Sequence, residues 1–517
     1  MAAILTDQMR VLNAKNFLSE ISNSQKSHYI FLGLTNPTNY NENWNSNPPF
    51  PRDNFDQEHA FWDSMISLKK ITSSDTILAI PKRVWNSGTK YDMYRHDYSI
   101  DNLAPISGSP TLYGSFFHVV NSDNRVYICL QNGTSPDNPL GKPSLDEPTF
   151  TDLEPRSAGS SGDGYIWKYL YTLSSNDIIK FDSTQFTPLP LNWDTSTSNA
   201  LVRDNAVDGS IKIVVVSNSG TSIGEANTQY TNVPIKGDGI GAECTIIVDE
   251  DSKVSSVQVS NQGSGYTYGY VDTVAGGVPS GTTSPKFDVI ISPKGGHGKD
   301  IYRELGALNV LLYNRIENDA NNPDFITGND FARIGIVESP INYDSNTILT
   351  KDKASAVGAL KLVGTGYSSA VFTPNSRITQ TVSTGTTAVG KVVNYDQTTG
   401  VLKYWQDRTL VGFNTNGSQN SNPEFGFDLV EFTSDPDIGG NLNIVPNSGG
   451  ILSIDSNFSG EATSINNRTY YFGLNFTDGI ANPEVKKYSG NIIYVDNRPS
   501  ITRSSTQKED IKIILQF

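Results

Sequence analysis

Apolar positions near the start of the chain follow a helical period twice. Val11, Leu12, Phe17, Leu18 and Ile21 recur at helical spacing among polar residues, which predicts an amphipathic helix over 8–22. Phe61, Trp62, Met65, Ile66 and Leu68 form a second such face and predict a helix over Gln57–Lys69, with Asp53 and Asp56 placed to cap it. Between the two, His28–Leu34 reads as a short strand. It opens into a polar, proline-rich loop that runs from Asn36-Pro37 to Pro48-Pro49-Phe50-Pro51. Beyond Asp75 the pattern changes to short β-rich runs separated by turn residues, as in Thr76–Ile80, Ser115–Val120, Val126–Leu130 and Tyr165–Leu173. The polar stretch Asn132–Gly164, with its Pro, Gly and Ser residues, reads as an extended surface loop.

The middle of the chain has a different texture. Val216-Ser217-Asn218-Ser219-Gly220 recurs as Val259-Ser260-Asn261-Gln262-Gly263, each time after a β-branched run, and Gly263-Ser264-Gly265-Tyr266 has a weaker echo in Gly364-Thr365-Gly366-Tyr367. These copies are too few for a solenoid, so they predict small β modules inserted into the chain and joined to it by few contacts. A second insert is expected from about Lys351 to Arg408, with a hairpin of Gly390–Tyr395 and Val401–Trp405 closed at Asp396–Gly400. At the end of the chain, Ile511, Ile513, Leu515 and Phe517 alternate with Lys512, Ile514 and Gln516, the period of a strand with one buried face. Upstream, Asn497-Arg498-Pro499 reads as a turn that ends the run Ile492–Val495.

Composition narrows the function. A chain of 517 residues exceeds what one core organises, and its 24 Tyr and 22 Phe supply large side chains to bury. A net charge of -15 opposes a sequence-independent grip on nucleic acid. Cys129 and Cys244 are the only cysteines, too few for a disulfide framework. The start turns polar before a signal-peptide core forms, and no run reaches the roughly 18 apolar residues that a membrane span needs.

None of His28, His59, His96, His118 and His297 stands at metal-ligand spacing from another His or Cys. His297, in Gly295-Gly296-His297-Gly298, lacks the Walker or Rossmann context and reads as part of a flexible junction between an insert and the main body. Asp249-Glu250-Asp251 lacks EF-hand spacing and reads as a turn between strands, and Asp163 in Gly162-Asp163-Gly164 reads the same way. Trp44, Phe50, Phe61 and Trp62 offer stacking surface, with burial the expected fate of most of them. The expectation is therefore a non-enzyme with no catalytic, cofactor-binding or metal residues and no cofactor.

Several segments in order resemble the gene-8 baseplate wedge proteins of T-even-like contractile-tailed bacteriophages. They are Phe31-Leu32-Gly33-Leu34, Pro48-Pro49-Phe50-Pro51, Ala79-Ile80-Pro81-Lys82-Arg83-Val84-Trp85, Gly162–Leu170, Phe331–Val337 and Gly490–Phe517. The likeness covers roughly 8–193, 296–345 and 470–517, and its absence from the inserts makes this an enlarged form. The texture of the inserts resembles β modules of structural proteins from phages that infect cyanobacteria. The resemblance implies a mostly β protein of several sandwich-like domains; with the helices and inserts read above, the expected fold is mainly β, multidomain and β-sandwich-like, with a few N-terminal helices and inserted small β modules. The expected divisions are 1–204, an N-terminal helical and β wedge region; 205–295, an inserted module; 296–349, a return to the wedge core; 350–412, a second module; and 413–517, a C-terminal β region. It further implies a virion protein of the tail baseplate, assembled in the host cytoplasm as a homodimer. That protein would link wedge neighbours, the products of genes 6, 7, 10 and 53, through assembly and sheath contraction. It would contact neither nucleic acid nor the membrane interior. The rival reading is a tail-associated carbohydrate-binding or depolymerising protein, since β modules with exposed aromatics also suit glycans.

Overall fold

A computed structural model describes residues 4–23, 25–35, 44–320, 325, 327–384, 386–406, 430–435, 443–444, 449–504 and 506–517. Most of the polar loop that begins at Asn36 and the end of the second insert, 407–412, lie outside these residues. The protein is mainly β, with several sheets and few helices, as the run lengths predict. It folds as two compact units, one of Met1–Leu18, Thr76–Leu312 and Lys512–Phe517, the other of Ser19–Asp75 and Tyr313–Ile511.

The core of the first unit is aromatic. An antiparallel sheet of His118–Val120, Arg125–Asn132 and Tyr165–Thr172 places Tyr127, Tyr165, Trp167 and Tyr171 in one cluster with Phe117 and Trp193. Tyr165 and Trp167 stack at 5.3 Å, while Tyr91 meets Trp167 edge-on at 5.8 Å. Residues 133–164 carry no strand, yet Phe150 is buried and its carbonyl accepts the Tyr127 hydroxyl at 2.6 Å. The N-terminal helix α1 (Asp7–Ile21) turns Val11 and Ala14 into this core. Leu12, expected on that apolar face, points outward and is 49% exposed.

The first insert begins and ends in one strand pair, Ile211–Asn218 with Lys286–Ile291, and holds a sheet ordered Val254–Ser264, Ile240–Val248, Gln229–Gly237, Gly269–Val271. Ile211, Val214, Val233, Ile246 and Val289 close a core of its own. The opposite face of the pair, Ile213, Val215 and Ile290, joins the aromatic core of the first unit, so this attachment is more extensive than the few contacts expected from the sequence. The repeated segment has one local structure: Asn218 Oδ1 accepts the N–H of Gly220, and Asn261 Oδ1 accepts that of Gly263. Both glycines take positive φ, 66° and 59°.

In the second unit, an antiparallel sheet runs in the order Lys353–Ser355, Met65–Ile71, His28–Gly33, Asp330–Glu338, Asn491–Thr502. Here two sequence expectations fail. The second helix, α2, spans Phe55–Ser64 and is capped by Asn54, whose side chain accepts the N–H of Gln57, not by Asp53; the Asp56 side chain lies outside the described residues. The chain then straightens at Met65 because Met65–Leu68 is buried on both faces, and continuous burial in a sheet erases the alternation that distinguishes strand from helix. Asn497-Arg498-Pro499 is no turn, since the strand continues through it to Thr502. That strand is at the sheet edge, and its register shifts between Phe331 and Arg333, partners of Ile501 and Asn497, so Pro499 lies in a bulge where no ladder N–H is required.

The expected hairpin is present as Thr386–Asp396 with Val401–Trp405, and Asp396 accepts from Thr398 N–H and the Thr399 hydroxyl in its turn. Its sheet also takes in Gly358–Val363, Leu452–Ile454 and Asn443–Ile444, and the core Leu360, Val392, Leu402, Phe432 and Ile454 extends past the boundary read for the insert. The terminal strand is Lys508–Gln516, with Ile511 and Ile513 buried, Leu515 and Phe517 half-buried and Ile514 exposed, as its alternation predicts.

Candidate functional site

The histidines are placed separately. His118 is buried; its Nε2–H donates to the Pro81 carbonyl at 3.0 Å, so Nδ1 accepts from the Arg83 guanidinium at 3.1 Å. Burial, aided by Arg83, pulls its pKa down to about 3. His96 Nδ1 accepts the N–H of Ile291 at 3.2 Å, and His59 meets the Tyr488 ring edge-on at 5.5 Å. His297 is not in a flexible junction. It is 4% exposed, meets the Tyr94 ring edge-on at 4.7 Å and donates from Nδ1 to Glu304 at 2.6 Å. Any Cβ on Gly296 would lie 2.5 Å from the backbone of Val207, so the glycine permits a tight crossing, a cause that short-range sequence does not reveal.

Among the described residues, one His and carboxylate group is compact enough to hold a metal ion: Glu20, His28 and Glu338. Lys26 already places its ammonium 3.3 Å from Glu20 and 2.7 Å from Glu338, so the cluster has its own cation. Asp249 takes the N–H groups of Asp251 and Lys253 on Oδ1, and Asp163 takes those of Tyr165 and Leu145, so both serve turns as read.

A more specialised arrangement surrounds Arg333 in the second unit. Its side chain is fully buried; Nε donates to Asn497 Oδ1 at 2.9 Å, and Nη1 donates to the Ala60 carbonyl at 3.4 Å and to Ser64 Oγ. The guanidinium lies 4.8 Å from the Phe61 ring and 5.7 Å from Trp44. Burial lowers its pKa to about 9. Asn497 uses its other end to donate to the Pro49 carbonyl at 2.9 Å. Next to it, the Trp44 indole N–H donates to the Arg498 carbonyl at 2.8 Å, and Asn45 accepts the N–H of Ser500 at 3.0 Å. Segment 44–51 thus satisfies the polar backbone of the bulged edge, which otherwise invites strand pairing.

The consequence is a braced surface. Trp44, Phe61 and Trp62 are buried, as expected of most of the aromatic group, while Phe50 is 94% and Phe55 82% exposed. Pro48, Pro49 and Pro51 fix φ on both sides of Phe50, so less backbone freedom is lost when the segment is covered. Leu5, Met9 and Leu12, at helical spacing on or beside α1, form a second exposed apolar strip. Large apolar side chains carried in water on a braced backbone are suited to docking against another protein and offer no reacting group.

Residues 3–138 match the model of a family described as bacteriophage T4 Gp8. A curated relative, baseplate wedge protein gp8 of Enterobacteria phage T4, is 25% identical over 202 residues, covering 36% of this chain and 60% of the relative. The chain therefore spans 60% of the length of the relative it matches. It is gp8-like, in agreement with the resemblance read from its motifs, and the braced segment 44–55 lies inside the family match. The later segments assigned to that resemblance lie beyond residue 138, where the family match ends.

Proposed function

We propose that this gp8-like chain is a structural, non-catalytic subunit of a contractile-tail baseplate wedge, located in the virion and joining wedge neighbours through assembly and sheath contraction. The observation that supports the reading most is the coincidence of the family match with the exposed apolar surface of Phe50 and Phe55. Its neighbours would be the products of genes 6, 7, 10 and 53, and its own state a homodimer. A two-fold contact is the commonest closed assembly for a subunit of this kind. The divisions 1–204, 205–295, 296–349, 350–412 and 413–517 are proposed as the order in which wedge body and inserts alternate. Reconstitution with those four neighbours, read by native mass spectrometry, tests the reading. Phe50→Ser with Phe55→Ser should leave the melting temperature unchanged and weaken incorporation into the wedge. Antibody against the chain should label the baseplate of intact tails, and labelling confined to another part of the virion would overturn the proposal.

A further inference from the structure

Tyr471, on the strand Arg468–Phe476, is a wall of two adjoining clefts in the second unit, of about 640 and 340 Å³. The strand is fixed from behind, where Phe472 and Phe476 meet at 5.4 Å and Phe458 packs on both at 5.7 and 5.6 Å. Its outer positions are Tyr471, 46% exposed, then Gly473 and Asn475. A residue without a side chain between them leaves a shallow floor beside the tyrosine ring. Asp344, Glu461 and Asn482 complete the larger cleft, and the smaller one adds Tyr395 and Asn394. Among the described residues, the side chains of Asp344, Glu461, Asn475 and Asn482 make no hydrogen bond or ion pair.

We infer that these clefts bind a neutral oligosaccharide, with Tyr471 stacking on a sugar ring at the junction. The aromatic face takes the C–H side of a pyranose, while carboxylates accept pairs of hydroxyls and carboxamides both donate and accept. The carboxylates disfavour phosphate or uronic acid. Among the described residues the compact three-residue group of His and carboxylates lies elsewhere, at Glu20, His28 and Glu338. Lys351, the cation of the larger cleft, is held by Glu484 at 2.5 Å, and Lys403 lines the smaller one together with Asp396. This inference is independent of the wedge reading.

Calorimetry of the full chain with cellohexaose, maltohexaose and laminarihexaose tests it. At least one should bind with micromolar to millimolar affinity; Tyr471→Ala should weaken it about tenfold or more, while Tyr471→Trp retains it. Tyr270→Ala, an exposed tyrosine of the first unit, should leave binding unchanged, and melting curves should show all three variants folded. Absence of heat with every hexasaccharide at millimolar concentration, or undiminished binding by folded Tyr471→Ala, would overturn the assignment. So would tighter, salt-sensitive binding of octalysine at the same residues, which would make the clefts a site for basic peptide.

Discussion

His297 and Glu304 form a closed ionisable pair: Nδ1 of the histidine donates to one carboxylate oxygen at 2.6 Å, and the other oxygen accepts the N–H of Gly298 at 2.7 Å. Both side chains are buried, 4% and 1% exposed. A carboxylate in that position depends on its donors, because burial keeps it from bulk solvent.

Removing the imidazole should therefore cost more than its packing. His297→Ala is expected to lower unfolding free energy by about 3 kcal/mol, and Glu304→Gln by less, since the carboxamide still accepts from Gly298. Urea denaturation of the two variants beside the unmodified chain measures the order. Equal losses would show that the pair contributes only volume.

His118 supplies a pH dependence. Its folded pKa is depressed to about 3 from the ordinary 6.5, so its contribution is fully present above 6.5 and is lost as pH falls from there through 3. In that window the unfolded chain binds the proton and the folded one does not. His28 and His96 are shifted in the same direction by burial. Stability measured at pH 7, 5 and 4 should fall more steeply for the natural chain than for His118→Gln, which keeps a donor for Pro81. Parallel curves would remove His118 as the cause.

Arg333 connects the sheet to the braced surface through Asn497, so its loss should be felt at a distance. Arg333→Ala is expected to destabilise the second unit by about 3 kcal/mol, leaving the acceptors at Ala60 and Asn497 short of a donor. Limited proteolysis should then cut within 44–55 before any other site. Unchanged cleavage order would mean that Trp44 and Asn45 hold the segment without the arginine.

Much of this fold is legible in the residues where one local pattern has one meaning. The alternation at Ile511–Phe517, the turn at Asp396–Gly400 and the repeated Asn-x-Gly of Gly220 and Gly263 each carry their geometry within a few positions. Met65–Leu68 fails for the opposite reason: a strand buried on both faces loses the alternation of apolar and polar positions and imitates a helix face. Pro499 misleads because an edge bulge excuses the missing N–H, which depends on the register with Arg333. The surroundings of Arg333, Asn497 and Pro49 were not legible at all. They come from distant segments, and no spacing relates them. Phe50 is one of four aromatics that the sequence offers as stacking surface, and only the fold separates it from its buried companions.

The terminal strand supports the last prediction. Ile511 and Ile513 are buried, Leu515 and Phe517 half-buried, and the Phe517 ring lies 5.6 Å from Phe17 of α1. Full burial of an apolar side chain stabilises by about 1.5–3 kcal/mol, so two full and two partial burials give roughly 4–9 kcal/mol before ordering entropy is subtracted. Unfolded chains already bury some surface, which places the value toward the lower end. That is still comparable with the stability of a typical domain, about 5–15 kcal/mol. Cutting after Asp510 should thus lower the melting temperature markedly or yield insoluble protein, although Asp510 itself, paired with Arg315 at 2.7 Å, is retained. Phe517→Ala should show the same effect on a smaller scale, about 1–2 kcal/mol, because one half-buried ring is lost while the alternating ladder remains. If the shortened chain melted with the full one, the burial of Ile511 and Ile513 would be contributing nothing that the rest of the structure could not replace.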